Sequence, residues 1–285
     1  MNYEQFRPRS FKVLPDVVKN LLIINGILFL AMKVMENSGI DLNDILGLHY
    51  FGSEKFRIYQ LVTYMFMHGS FMHILFNMFA VWMFGAAIEN VWGPKRFLTF
   101  YIITGLGAAV AHYGIVYFEM QPALAYFDNY IANPSIESLQ TLRTSDAFRS
   151  FSSADMIDHY NAFTREFNSM LGSNPDQALQ LSVDYMKQLR VDSMNAPVVV
   201  GASGAVFGLL LAYGMTFPNS IIYLYFAIPI KAKYFVILYG ALELFSGIAN
   251  VAGDNVAHFA HLGGLVTGII VILYWKNKNK RRMNF

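Results

Sequence analysis

Ser203 lies in Gly201-Ala202-Ser203-Gly204, a lone serine between glycines inside an otherwise apolar stretch. Most serines in such a setting only bond back to their own helix. One becomes a nucleophile when a histidine stands close enough to take its proton. Two histidines, His258 and His261, occur in a second apolar stretch near the C-terminal end. Ionisable residues inside a membrane span are costly and are functional candidates by default. They are three apart and share a helix face, so either is a candidate base. A third apolar stretch holds His73 and Asn77, four apart and therefore also on one face. His68 and His112 read as packing or hydrogen-bonding residues. Metal chemistry finds little support, because no HExxH is present and no carboxylate falls within the last apolar stretch. With no cysteine, thiolate zinc sites, disulfides and cysteine nucleophiles are excluded. No metal and no cofactor are expected.

The chain is 55% hydrophobic and only 14% charged over 285 residues. That composition belongs to a polytopic membrane protein rather than a soluble domain. A net charge of +2 leaves no nucleic-acid footprint. Six spans are expected, at residues 17–35, within 61–91, and at 97–117, 198–216, 235–248 and 256–275; the first supplies the ~20 residues a crossing helix needs. A basic segment with Arg7, Arg9, Lys12 and Lys19 precedes the first span, which reads as retained rather than cleaved. Residues 36–60 are too polar to span and read as a loop with short interfacial helices. Residues 221–228 are β-rich and aromatic, and 250–255 form a polar loop. Between spans three and four, residues 119–197 carry ten acidic and five basic side chains. Apolar residues at helical spacing over 154–171 and 176–191 predict two or three amphipathic helices there. Residues 276–285 form a basic tail.

Basic clusters at both ends, at Lys95/Arg96 and at Lys231/Lys233 put those four segments on one side, cytoplasmic by the positive-inside rule. Both termini are then cytoplasmic and the acidic insert lies outside. Spans two, four and six run inward from the outer face, each with its polar residues in its first turns. His73, Asn77, Ser203 and His261 therefore fall at similar depth. Gly204-x-x-x-Gly208 and Gly264-x-x-x-Gly268 let two backbones approach closely. That approach would bring the Ser203 and His261 helices together where both side chains sit.

These residues resemble the rhomboid family of intramembrane serine proteases. The resemblance rests on Gly201-Ala202-Ser203-Gly204, on the run from Ala260-His261 through Gly264 to Gly268, and on the run from His68-Gly69-Ser70 through His73 to Asn77, continued by Glu89 and Gly93. It covers residues 17–118 and 198–275 and implies an all-α bundle of six membrane helices, with the insert as an addition. It implies a Ser203–His261 dyad without a third acidic member, and it selects His261 over His258 as general base. It implies an oxyanion site made of the Ser203 backbone N–H, His73 and Asn77. It implies single-span membrane proteins as substrates, cut near the outer end of their helix. The expected organisation is a membrane protease core at 1–118 and 198–275, the acidic outer insert at 119–197 and the tail at 276–285. The expected place is the inner cell membrane, with the lipid bilayer as a partner and no nucleic acid.

Two positions depart from relatives. Phe207 stands where some carry a tyrosine under the histidine, so ring stacking is kept and a hydroxyl contact is lost. Tyr59-Gln60 stands where some carry Trp-Arg in the first outer loop, which bears on how that loop sits in the membrane. The insert is expected to act as a cap or exosite that restricts substrates. Two other classes fit parts of the pattern: a rhomboid-like protein that binds membrane clients without cutting them, and a small-solute transporter. The first would lack Ser203 or His261, and both are present. The second would show inverted repeats and broken spans, and neither is clear.

Overall fold

The structure, a computed structural model, describes residues 11–142, 154–224, 227–249 and 256–283. Arg7 and Arg9 of the basic N-terminal segment, Arg143, Asp146 and Arg149 of the insert, and the 250–255 loop lie outside the described residues. The helices are α1 (Asp16–Glu36), α2 (Leu42–Leu46), α3 (Gln60–Thr63), α4 (Phe71–Ala80), α5 (Ala86–Trp92), α6 (Pro94–Ala132), α7 (Ile136–Leu142), α8 (Ala154–Leu171), α9 (Pro175–Asn195), α10 (Ser203–Thr216), α11 (Ala232–Ala249) and α12 (His258–Met283). A π turn, Val81–Gly85, joins α4 to α5. Among the described residues there are two antiparallel strand pairs: β1 (Leu48–His49) with the distant β2 (Val198–Val199), and β3 (Ile221–Leu224) with β4 (Ile228–Lys231). The fold is all-α, as the resemblance implies.

Among the described residues, five helices are long and apolar enough to cross a membrane: Asp16–Glu36, Phe71–Trp92, Pro94–Ala132, Ala232–Ala249 and His258–Lys278. The expected fourth span is shorter than the 198–216 read from sequence. Val198–Val199 is drawn into a strand pair with Leu48–His49. Gly201 then turns the chain with φ +123, and the helix begins only at Ser203. Fourteen residues rise about 21 Å, less than the ~30 Å hydrocarbon thickness. The expected second span also starts late. The chain leaves a 3-10 turn at Phe66, passes through Gly69 and restarts at Ser70, whose side chain accepts from the His73 N–H at 3.2 Å as an N-cap.

The chain divides into two compact units, the first comprising Met1–Gly47, Leu61–His112 and Val200–Phe285. At its centre is α10, ten of whose fourteen residues are buried. A helix apolar all round belongs inside. It packs against α12 backbone to backbone: a Cβ added to Gly264 would collide with the carbonyl of Gly204, and one on Gly268 would come within 3.6 Å of the Gly208 Cα. Gly204 in turn abuts Ala108 of α6, and Gly263 lies 3.1 Å from the Gly107 carbonyl by the same measure. Small residues on three helices thus allow three backbones to meet. By contrast α11 buries only Ala232, Val236 and Glu243 and turns Ile237, Phe245 and Ile248 outward. Such a surface fits contact with lipid rather than water.

A buried carboxylate ties the start of the bundle. Pro15 offers no side-chain cap to α1. Instead both oxygens of Glu89 on α5 accept from the Val17 and Val18 N–H groups, at 3.0 and 2.9 Å. Two of the four orphan amides of that helix end are satisfied, and the charge complements the helix dipole. Glu89 is 4% exposed, so the pairing is what makes its burial tolerable.

The second unit comprises Leu48–Gln60 and Tyr113–Val199. The third span was expected to end near 117, where the charged insert begins. The structure continues α6 to Ala132 without a break, and even Pro122 is inside it. The reason is spacing: Met120, Ala123, Phe127 and Tyr130 recur every three or four residues and are all buried. The last three pack with Phe163, Phe167, Met186 and Leu189 of α8 and α9. Phe163 stacks on Tyr185 at 4.1 Å, Tyr130 Oη bonds Ser182 Oγ at 2.6 Å, and Arg190 pairs with Asp128 at 2.7 Å. The insert therefore owns a small aromatic core. In the 48–60 segment, buried Gln60 accepts from the Arg57 N–H at 3.0 Å and donates to the Lys55 carbonyl at 3.1 Å. The glutamine that replaces the expected arginine folds this loop on itself.

Two substitutions test the packing. Gly264→Ala should lower the thermal unfolding midpoint in detergent, at an overpacking cost of about 1–3 kcal/mol, while Gly26→Ala, with nothing within 4 Å of its Cβ position, should not lower it. Glu89→Leu should destabilise by about 3 kcal/mol through two stranded amides, and Glu89→Gln by less, since one acceptor oxygen remains.

Candidate active site

Three elements of the first unit converge on Ser203. The serine opens α10, where Ala202 is the N-cap and supplies no side-chain cap bond, so the first-turn amides are open to another acceptor. His261 is one turn into α12, and the Gly204–Gly264 contact sets the two helices face to face at that level. Ser203 Oγ lies 2.8 Å from His261 Nε2. In this geometry the imidazole can take the hydroxyl proton as the oxygen attacks. The ring is held flat against Phe207, centroids 4.3 Å apart and planes within 10°. Phe207 in turn stacks on Tyr239 of α11 at 5.1 Å. The phenylalanine one turn along α10 thus supplies the stacking expected of it.

The third side of the site is the start of α4. A Cβ on Gly201 would come within 2.6 Å of His73 Nε2 and 3.7 Å of Ser203 Oγ. The His73 ring therefore lies against Gly201, two residues before the serine, where there is no side chain in the way. Asn77, also buried, donates from Nδ2 to the His73 carbonyl at 3.0 Å. His68, 1% exposed, packs edge-on to His73 at 5.0 Å. It belongs to the packing that backs His73, as the sequence suggests.

Gly201 is fixed in two ways. Its φ of +123 is one that only glycine adopts cheaply, and its N–H donates to the Tyr64 carbonyl at 2.9 Å. Tyr64 is itself anchored through its hydroxyl to the Gly105 carbonyl at 2.7 Å. The turn before the serine is thus pinned to the turn before α4. Gly204, Gly264 and Gly268 serve the helix contact rather than the polar cluster.

One member of the cluster was missed in sequence. Glu243 of α11 places Oε2 2.8 Å from His261 Nδ1 and 2.7 Å from His258 Nδ1. The expected pair without an acidic third group is, in the structure, a line of Ser203, His261 and Glu243, and His258 reaches the same oxygen. The available signal is a single acid in the otherwise apolar 235–248 segment. Glu243, His258 and His261 each offer a ligand atom within 4.8 Å of the others. The two hydrogen bonds already occupy those atoms.

A family model of the Rhomboid domain matches residues 55–124 and 167–278. Over 95% of the chain, the mitochondrial RHOMBOID-like protein 12 of Arabidopsis thaliana is 26% identical, and the chain spans 60% of that protein's length. An uncharacterized mitochondrial rhomboid protein of Schizosaccharomyces pombe is 24% identical over 95% of the chain and 69% of its own length. The rhomboid protease GlpG of Salmonella newport is 38% identical over 52 residues, 18% of this chain and 19% of that one.

Gly201→Ala is expected to disrupt the site without unfolding the bundle. The added methyl would displace the His73 ring and strain the turn, so reaction of Ser203 with a fluorophosphonate should slow by ~10²-fold, the usual scale of a misplaced group, with the helical circular dichroism retained.

Proposed function

The chain belongs to the rhomboid family, and from that premise we propose that it is an intramembrane serine endopeptidase acting on membrane-spanning proteins. It is a multi-pass integral membrane protein of a family whose members are generally intramembrane serine proteases. The observation that carries the proposal is the 2.8 Å contact between Ser203 Oγ and His261 Nε2 at the packed crossing of two membrane helices.

The proposed reaction begins when Ser203 Oγ attacks the scissile carbonyl carbon and its proton passes to His261 Nε2. The carbonyl oxygen becomes an oxyanion, stabilised by the Ser203 N–H, by the positive end of α10 and by the His73 and Asn77 side chains. Asn77 gives one Nδ2 hydrogen to the His73 carbonyl and has a second to contribute. Collapse breaks the peptide C–N bond as His261 returns its proton to the leaving amine. Water then attacks the acyl-serine, His261 takes its proton, and the second product leaves with Ser203 regenerated. The start of a helix too short to span suits this chemistry, because a nucleophile below the surface but open to one face can be reached by water.

The proposed substrates are single-span membrane proteins cut near the outer end of their helix. The proposed orientation keeps both termini cytoplasmic, in the inner cell membrane. Residues 119–197 are proposed to restrict which substrates are accepted, beside a protease core at 1–118 and 198–275 and a tail at 276–285.

The test is labelling of the purified, detergent-solubilised protein with a serine-reactive fluorophosphonate, beside cleavage of a reporter carrying one transmembrane segment. Wild type should label and cleave, and Ser203→Ala and His261→Ala should each lose at least ~10³-fold of the rate. A folded wild type that neither labels nor cleaves would instead support a silent, client-binding member of the family.

A further inference from the structure

We infer that Glu243 is a positioning residue for His261, so that the Ser203–His261 pair works with a carboxylate behind it, and that His258 locks this carboxylate in place. The inference rests on the reading of Ser203 and His261 as nucleophile and base.

The placement of Glu243 is what demands an account. Its helix, α11, buries only three of its eighteen residues and otherwise presents apolar side chains outward. Glu243 is one of those three, at 7% exposure. A carboxylate in such a place costs several kcal/mol unless it is paired and hydrogen-bonded. A helix needing only to fill lipid-facing space would carry leucine there. The carboxylate is instead aimed at α12, where two imidazoles one turn apart reach the same oxygen, at 2.7 and 2.8 Å.

That arrangement decides what His261 can do. An ionised carboxylate only accepts hydrogen bonds. Its contact with Nδ1 therefore requires the proton of the neutral ring to sit on Nδ1. The lone pair is then on Nε2, 2.8 Å from the Ser203 hydroxyl, as a general base requires. Phe207 fixes the plane of the ring by stacking but cannot choose between the two tautomers, because its face offers no acceptor. Glu243 makes that choice. When the Ser203 proton arrives at Nε2, the ring becomes a cation between an aromatic face and a carboxylate, in surroundings that exclude most water. The compensating charge is already in position, without reorganisation.

His258 has a different part. Its ring lies edge-on to His261, centroids 6.4 Å apart, and its contact to the shared oxygen is Nδ1. It is therefore a second donor that keeps the carboxylate aimed. Among the charged and titratable side chains, His73 also faces His261, from the α4 side.

The experiment uses the full chain in detergent micelles and a single-span reporter, with kcat and KM measured separately. Glu243→Gln is expected to lower kcat by ~10³–10⁴-fold with KM within about twofold, since an amide nitrogen can hold the wrong tautomer. Glu243→Asp keeps the charge but withdraws it by about 1.5 Å, and is expected to retain more activity, losing ~10²-fold. His258→Gln should lose ~10-fold, the scale of one weakened positioning contact. In a His261→Ala background, Glu243→Gln should cost nothing further, because a group that acts only through His261 has nothing left to act on. A merely structural carboxylate would instead give losses that multiply. Far-UV circular dichroism reports the fold; if Glu243→Gln loses its helical signal, Glu243→Asp carries the test alone. Wild-type kcat in Glu243→Asp or Glu243→Gln, or losses that multiply with His261→Ala, would overturn the inference while leaving Ser203 as the nucleophile. Full activity in Ser203→Ala would remove the proposed function and this inference together.

Discussion

The contact on which the first unit depends is that of two helix backbones with no side chain between them. Gly264 of α12 rests on the carbonyl of Gly204 in α10, and Gly268 lies over Gly208. Without a hydrophobic driving force in lipid, helices associate through close packing and a few polar contacts. The glycines supply the first and bring about the second. The first pair lies within a turn of Ser203 and His261, so the approach that packs the helices is also what closes the hydrogen bond between those residues. The small residues of α6, Gly107 and Ala108, complete a three-helix junction. Two further helices of the same unit bear on that junction: α4 brings His73 to Gly201, and α11 brings Tyr239 and Glu243 behind the histidine.

Most of this was legible in the sequence because the positions involved tolerate few residue types. A serine between glycines, two histidines in a late apolar stretch and paired glycine spacings predict which helices meet and at what level. The places where the sequence reading differs from the structure share a cause, which is pairing over long separations. Nothing local in Val198–Val199 says that it will leave the membrane stretch to pair with Leu48–His49, about 150 residues earlier. The end of the third span was read from the first acidic residue, Glu119, although Met120, Ala123, Phe127 and Tyr130 keep helical spacing beyond it. There the tertiary partner, an aromatic core with α8 and α9, decides the length of the helix.

Glu243 is the most instructive case. A search for carboxylates that follows one helix at a time finds none beside His261. The partner arrives from the preceding helix, and its only mark in the sequence is that it is an acid where every neighbour is apolar. Burial cost is the principle that would have found it: in a lipid-facing segment, an ionisable side chain signals a partner elsewhere. His258 shows the same principle from the other side. Read alone it competes with His261 for one role; seen beside Glu243 it has a role of its own.

Glu89 bears on how the chain is made. It lies more than seventy residues after the amides of Val17 and Val18 that it accepts from. As the polypeptide leaves the ribosome, the first helix is therefore finished long before its cap exists. In the interval, headgroups or water must serve those two amides, so the first helix enters the bilayer with a provisional end. Its final seat needs α5, whose Glu89 takes the place of that solvent at the two amides.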